Sequence, residues 1–248
     1  MKTPKFVLQT GQVLSTERYA CRSTSYPHLM CSTDNLPSLQ AEDDFFYVPV
    51  GSVEFTKKFC EHFNLLLPKE SISYPEEIRH LIKRPVRKTT FAEARDGEFV
   101  KPVGVKTFTG DLKLLLKPDQ PISQDTPVWA APYTPFESEF RFYVHNLYPT
   151  AKVAGWARYD DLECINPNPN LSLILEVMRC MQVDGPGAYT IDVGWRADLG
   201  EYDIVELNDA WALGLYYNSD KQSSPISYED YAEMLIMRWR QILFCNIV

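Results

Sequence analysis

The chain has 248 residues, a formal net charge of −8, a pI near 5.1 and 45% hydrophobic residues. That length suffices for one large domain or two small ones around a sizeable core, and the acidic balance argues against a broad grip on a nucleic-acid backbone. No apolar run approaches the roughly 20 residues of a membrane helix, and the opening "MKTPKFVLQTGQV" lacks a signal-peptide core, so a cytoplasmic protein that binds neither membrane nor nucleic acid is expected.

Residues 1–40 are polar and turn-rich and yield no readable organisation. The run "FFYVPVGSVEFTKKFCEHFNL" reads as a buried strand, a Pro-Gly break and an amphipathic helix from Val53. "YPEEIRHLIKRP" reads as a short helix stopped before Pro85, and "RKTTFAEARDGE" as a linker. From Phe99 strand patterns dominate, in "EFVKP", "VKTFTG", "PVWAAPY", "SEFRFYVHN" and "AKVAGWARYD". A helix capped by Asn170 interrupts them at "NLSLILEVMRCMQ". A hairpin, "YTIDVGWRADLGEYDIVELND", follows, and "SYEDYAEMLIMRWRQILF" reads as a closing helix. This order indicates an α+β fold with mainly antiparallel strands. The six cysteines (21, 31, 60, 164, 180, 245) form no CxxC pair and suit free thiols in a reducing compartment. His28 and His62 lie near cysteines, but their spacing matches no common zinc pattern.

Three constellations carry chemistry. In the hairpin, Tyr189, Ile191, Val193 and Trp195 share one face and Asp192 takes the other, while Glu206 and Asn208 share a face. A three-residue turn ending in a left-handed Gly200 sets Asp192 opposite Glu206. Like charges so placed repel. A divalent cation reverses that sign, whereas a solvated polar face or a register one residue different leaves the carboxylates without one. Repulsion of this kind predicts that Asp192→Asn stabilises the protein. In the second constellation, a turn at "YPTA" sets Arg141 opposite Arg158, which reads either as a polyanion grip or as surface arginines paired with Glu139 and Asp160. In the third, Lys101 and Lys106 flank a Pro-Val-Gly-Val loop. They read as phosphate-binding point charges or as solvated surface, with neither GxxxxGK[ST] nor GxGxxG present.

The ordered set resembles the ATP-grasp superfamily over roughly residues 45–217. "FVKP" is similar to its phosphate-binding lysine strand, "SEFR" to the strand after its adenine hinge, and "DVG…VELND" to its metal-binding Asp…Glu-x-Asn signature. Arg141 and Arg158 with a lysine, plus "PVGSVEF" and "GLY", resemble the clade named for two arginines and one lysine. The resemblance implies two α+β subdomains gripping ATP, residues 86–135 and 136–248, preceded by a small α/β substrate-side domain, residues 1–85. It implies that Lys101 and Lys106 contact ATP phosphates, and that Trp129, Ala130, Ala131, Pro132 and Tyr133 form the hinge over adenine. Glu139 belongs to the same nucleotide site, and Arg141 and Arg158 hold the γ-phosphate or acyl phosphate. Asp192, Glu206 and Asn208 bind Mg2+, with Glu206 bridging two ions. Many relatives carry arginine two residues before the metal-binding Asp; here that residue is Thr190. The activity implied is an ATP-dependent carboxylate–amine ligase acting through an acyl phosphate on small-molecule or peptide substrates. An inactive nucleotide-binding protein and a phosphotransferase are the rivals. Of the four histidines (28, 62, 80, 145) only His145 lies in a motif run; near a turn, it reads as a surface residue.

Overall fold

A computed structural model describes residues 2–11, 16–69, 72–104, 107–117, 121–147, 149–160, 163, 166–183, 185–216 and 223–245. Three sheets organise the chain. The first lies in the region whose pattern was unreadable. Strand β1 (Thr3–Gln9), helix α1 (Thr16–Arg22), strand β2 (His28–Cys31), strand β3 (Phe45–Val50) and helix α2 (Val53–His62) build a parallel sheet of order β2-β1-β3 with flanking helices. Phe6, Val7 and Leu8 are consecutive and all fully buried, as expected of a central parallel strand covered on both faces, which therefore shows no alternation. Pro49 does not break the run but lies within β3 opposite Val7. β3 is an edge strand, and there a residue without an N–H is tolerated. The chain turns at Gly51, and Ser52 caps α2 by accepting the Phe55 N–H at 3.1 Å.

The second sheet comprises β4 (Arg87–Thr90), β5 (Glu98–Pro102), β6 (Asp111–Leu112) and β7 (Pro127–Pro132), in the order β4-β7-β5-β6. β4 occupies the stretch expected to be a linker. It is an edge strand that starts with exposed Arg87 and Lys88, so it lacks the apolar alternation by which a strand is recognised. Thr107–Gly110, expected as a strand, is not one; pairing resumes at β6. The short helix before Pro85 is present as a 3₁₀ helix, Glu76–Leu81.

The third sheet is antiparallel. It contains β8 (Glu139–Leu147), β9 (Thr150–Arg158), β10 (Ala188–Arg196), β11 (Glu201–Asp209) and β12 (Ser223–Ser224), in the order β11-β10-β8-β9-β12. Helix α3 (Leu171–Cys180) packs Ile174, Val177 and Met178 with Phe140, Phe142, Ile191, Val193 and Ile204 of this sheet. Helix α4 (Tyr228–Cys245) places Tyr231, Leu235 and Trp239 in one core with Phe6, Leu8, Phe55 and Phe59 of the first sheet and α2. Each such burial of a Leu or Phe stabilises the fold by about 1.5–3 kcal/mol. The C-terminal helix thus fastens the N-terminal sheet to the rest of the molecule. Among the described residues, no helix is long and apolar enough to cross a membrane.

His145 is not a surface residue. It lies in β8 with 1% of its surface exposed, and its Nε2 donates to the Asp230 carbonyl at 3.1 Å. Burial, helped by the Lys152 charge, pulls its pKa below 6.5. As pH falls through about 6.5 the unfolded chain therefore gains a proton that the folded chain resists, and stability declines. His145→Gln, which keeps a donor for that carbonyl, is expected to flatten the stability profile below about pH 6.5, as read from urea midpoints at successively lower pH.

Candidate functional site

The hairpin of β10 and β11 does set Asp192 opposite Glu206 and Thr190 opposite Asn208, but by another route than a three-residue turn. Arg196 pairs with Glu201, leaving a four-residue loop that closes through Gly200 N–H on the Arg196 carbonyl at 2.8 Å, with Gly200 at φ +66°. Val193 then pairs with Ile204, so one residue of β11 is extra between Ile204 and Glu206. This β-bulge at Val205 lets Ile204 enter the core while Glu206, two residues on, faces the opposite side. Tyr202, Ile204 and Leu207 all lie in that core. Their spacing of two and then three was the legible sign of a bulge.

The facing carboxylates are neutralised by the chain itself. Arg141 of β8 donates to Asp192 through Nε at 2.8 Å and Nη2 at 2.6 Å, and Asn208 Nδ2 donates to the same carboxylate at 3.0 Å. Lys101, from the second sheet, forms an ion pair with Glu206 of the third. Burial pushes the Asp192 carboxyl up against the opposing pull of Arg141. Burial also pushes Glu206 up, but Lys101 and Arg141 together hold it below the ordinary carboxylate range. Burial lowers Lys101, yet the charge of Glu206 outweighs it and the ammonium is held above its usual value. Arg141 likewise rises well above its ordinary value. Arg141 is further covered by two aromatic rings. Tyr159 and Tyr216 stack at 4.9 Å, and the guanidinium lies 4.8 Å from the Tyr216 ring centre and 5.6 Å from that of Tyr159.

A short strap, Asp209–Tyr216, holds Tyr216 in place. Asp209 is forked by Arg238 of α4 at 2.6 Å twice, and Tyr231 of α4 donates to the Leu213 carbonyl. Glu17 of α1 accepts the Leu215 N–H at 2.8 Å, and Tyr143 accepts the Tyr216 N–H at 2.8 Å. The strap, the second sheet and the hairpin enclose a cleft of about 440 Å³ lined by Phe99, Lys101, Phe108, Arg141, Glu206 and Asn208 among others.

Not every expected site residue is there. Arg158 does not stand opposite Arg141. The loop between β8 and β9 closes at Leu147–Thr150 and the register shifts after Tyr143, so Arg141 pairs with Ala157 and Arg158 with Phe140, on the other face. Arg158 instead forks onto Asp160 at 2.8 Å. Glu139 also lies outside the cleft wall; burial raises its carboxyl, and it accepts from Tyr159 Oη at 2.5 Å. The hinge segment is β7 and the residue after it. Trp129 pairs with Lys101 and is buried with Tyr74 at 5.4 Å, Ala130 and Ala131 are buried, and Pro132 and Tyr133 are exposed. None of the five lines the cleft. Lys106 lies outside the described residues. Thr190 is fully buried, and its hydroxyl has no hydrogen-bond partner. Sequence reasoning missed Tyr74, Tyr159, Asp209 and Arg238, because their partners are far away in the chain.

The ion pair also reverses the expected effect of Asp192→Asn. Removing that charge leaves Arg141 buried without its counterion, and breaking a buried pair costs about 3–5 kcal/mol. Asp192→Asn is therefore expected to lower the stability by about that amount in urea unfolding; a stabilised variant would show that repulsion from Glu206 outweighs the Arg141 pair.

A family model described as "ATP-grasp domain, R2K clade family 3" matches residues 52–225. The structure is similar to that of the ATP-grasp ligase PsnB complexed with its minimal precursor, with 13% identity, 96% of this chain and 100% of that one covered, and a TM-score of 0.52. It is also similar to the ADP complex of PurK, N5-carboxyaminoimidazole ribonucleotide synthetase, with 13% identity, 95% and 76% covered, and a TM-score of 0.51. The corresponding synthetase from Thermotoga maritima matches with 10% identity, 94% and 76% covered, and a TM-score of 0.51. At these identities the likeness is one of fold. No curated protein matches the chain.

Proposed function

The chain belongs to R2K clade family 3 of the ATP-grasp domains, and from that premise we propose that it is an ATP-dependent carboxylate–amine ligase working through an acyl phosphate. The observation that carries this reading is the convergence of Lys101, Arg141, Glu206 and Asn208 on one cleft, with Asp192 buried directly behind them and bonded to Arg141 and Asn208. The solved structures of similar fold include a ligase with its minimal precursor and a synthetase with ADP, which supports a bound nucleotide; a small-molecule or a peptide acceptor is proposed beside it.

Among the described residues, no three His, Cys, Asp or Glu side chains form a metal-sized group. The donor set is instead two facing carboxylates and one amide, hard oxygens that suit magnesium. Asp192, Glu206 and Asn208 would hold it. Bound magnesium would supply positive charge to the phosphate oxygens.

In the proposed reaction an oxygen of the substrate carboxylate attacks the γ-phosphorus, the bond to the β-phosphate oxygen breaks and ADP leaves. The amine then attacks the acyl carbon, loses a proton and expels phosphate. Both steps gather negative charge, so stabilisation by fixed cations and positioning do most of the work. Lys101 offers an ammonium as a point charge to a phosphate oxygen, with Lys106 proposed as a second. Arg141 is oriented by its fork on Asp192, and its Nη1, 3.5 Å from the Gly214 carbonyl, is the donor assigned to the γ-phosphate. Residues Trp129–Tyr133 are assigned to the adenine side, because Trp129 stands opposite Lys101 across β5 and β7. Arg158 enters this reading only through Asp160, whose carboxylate also accepts the Glu139 N–H at 2.8 Å. The acceptor pocket is assigned to residues 1–85.

Glu206→Gln keeps an oxygen for Lys101 and is expected to remain folded, with turnover reduced by about 10²-fold or more. Near-normal magnesium-dependent turnover in that variant would sink the site assignment. With the unaltered chain, ADP release that requires both a carboxylate and an amine supports the ligase. A stable phosphorylated product would instead indicate a phosphotransferase, and nucleotide binding without turnover across a wide substrate panel a binding protein.

A further inference from the structure

The core requires that β11 carry one extra residue, but it does not decide which. Ile204 pairs with Val193 in the core, and Leu207 pairs with Ile191 there. Two residues, Val205 and Glu206, lie between them, while only Asp192 stands opposite. Either can be the bulge with both of those flanking pairs kept. If Val205 bulges, Glu206 faces Asp192 and the carboxylate pair exists. If Glu206 bulges, a valine faces Asp192 and the pair is gone.

We infer that Arg84 makes this choice and is a positioning residue for the proposed site. Its guanidinium donates through Nη1 to the Ile204 carbonyl at 2.5 Å and through Nη2 to the Val205 carbonyl at 2.8 Å, the two carbonyls before and at the bulge. Nη1 also pairs with Asp203 at 3.0 Å, and the two side chains are 7% and 0% exposed. Asp203 is fixed in turn by the Lys83 N–H at 2.8 Å and its neighbour's N–H, that of Ile204, at 2.8 Å. The guanidinium lies 5.4 Å from the Phe136 ring centre and 5.8 Å from that of Tyr74. Phe136 can approach this closely because residue 194 is glycine, where a Cβ would lie 2.3 Å from the ring. A planar fork held on three sides offers two donors to two successive carbonyls in one fixed geometry, which a compact ammonium on a flexible stem does not impose. The Ser73 carbonyl accepts the Leu207 N–H at 3.1 Å on the same strand edge, so the segment before the second sheet grips β11 on both sides of the bulge. Arg84 does not line the cleft; it acts through Glu206 and Asn208.

This rests on the reading of Asp192, Glu206 and Asn208 as the magnesium site, and the test separates the two ideas. Arg84→Lys keeps a positive charge for Asp203 and is the variant chosen to stay folded. Two quantities are read: cross-strand nuclear Overhauser contacts of Asp192 without nucleotide, and affinity for a non-hydrolysable ATP analogue with and without magnesium. In the unaltered chain Asp192 contacts Glu206. In Arg84→Lys contacts from Asp192 to Val205 should arise, and the magnesium-dependent affinity should fall by about tenfold. Deleting Val205 in that background leaves only Glu206 to face Asp192, so both readouts should return to those of the unaltered chain. A general loss of stability would not be rescued by a deletion. Unchanged Asp192–Glu206 contacts in Arg84→Lys, or a loss that persists after the deletion, overturns the inference. If the unaltered chain binds the analogue equally with and without magnesium, the metal-site reading fails, while the Overhauser contacts still decide the role of Arg84.

Discussion

Two ion pairs at the junction of two sheets organise this molecule: Arg141 with Asp192, both buried, and Lys101 with Glu206, half-buried at the cleft wall. Either carboxylate alone is costly to bury, and two facing each other on neighbouring strands are worse. The arrangement persists because its cations come from different parts of the fold, Arg141 from the strand beside β10 and Lys101 from the sheet across the cleft. The polar centre is therefore also a mechanical link between the sheets. It is the same inventory that phosphoryl transfer demands, namely fixed cations beside hard oxygen donors, and the low-dielectric surroundings that make it expensive also make it strong.

Keeping such a centre ordered takes support from distant residues. Glu17 in the first helix and Arg238 in the last both hold the strap that carries Tyr216 over Arg141. Arg84, just before the second sheet, holds the strand that carries Glu206. The contacts of Glu17 and Arg84 join positions more than a hundred residues apart, and that of Arg238 with Asp209 spans 29. The packing of Trp239 of α4 against Phe59 of α2 keeps these ends together. Site and core thus depend on one another through a few charged side chains whose partners are mostly backbone groups or carboxylates.

Several features were legible because they are local. The helix after Ser52, the helix after Asn170, the left-handed Gly200 and the strands β5, β7, β8, β9, β10 and β11 all follow from caps, turn chemistry and alternation within short windows. Others were hidden for identifiable reasons. β1 shows no alternation because its run Phe6–Leu8 is buried on both faces, and β4 is polar because it is an edge. His145 lies close to a turn in sequence, but α4 covers it. The pairing of Arg141 with Arg158 failed because the loop closes at Leu147–Thr150, and the one-residue slip of β9 after Tyr143 then turns Arg158 to the other face, neither of which alternation alone reveals.

The sequence by itself determined which residue types carry the chemistry and in what order: a lysine strand, an arginine strand, then Asp192 and the Glu206-x-Asn208 pair, on an α+β chain. It also determined that Asp192 and Glu206 lie on strands joined by a short loop. Only the tertiary structure decided that they face each other through a bulge, that the chain's own cations neutralise them, and that Arg158 points elsewhere. The reason is that a strand's side-chain period is two, so a single residue gained or lost moves every later side chain to the other face. Which residue is gained depends on core packing and on hydrogen bonds from segments far away in the chain.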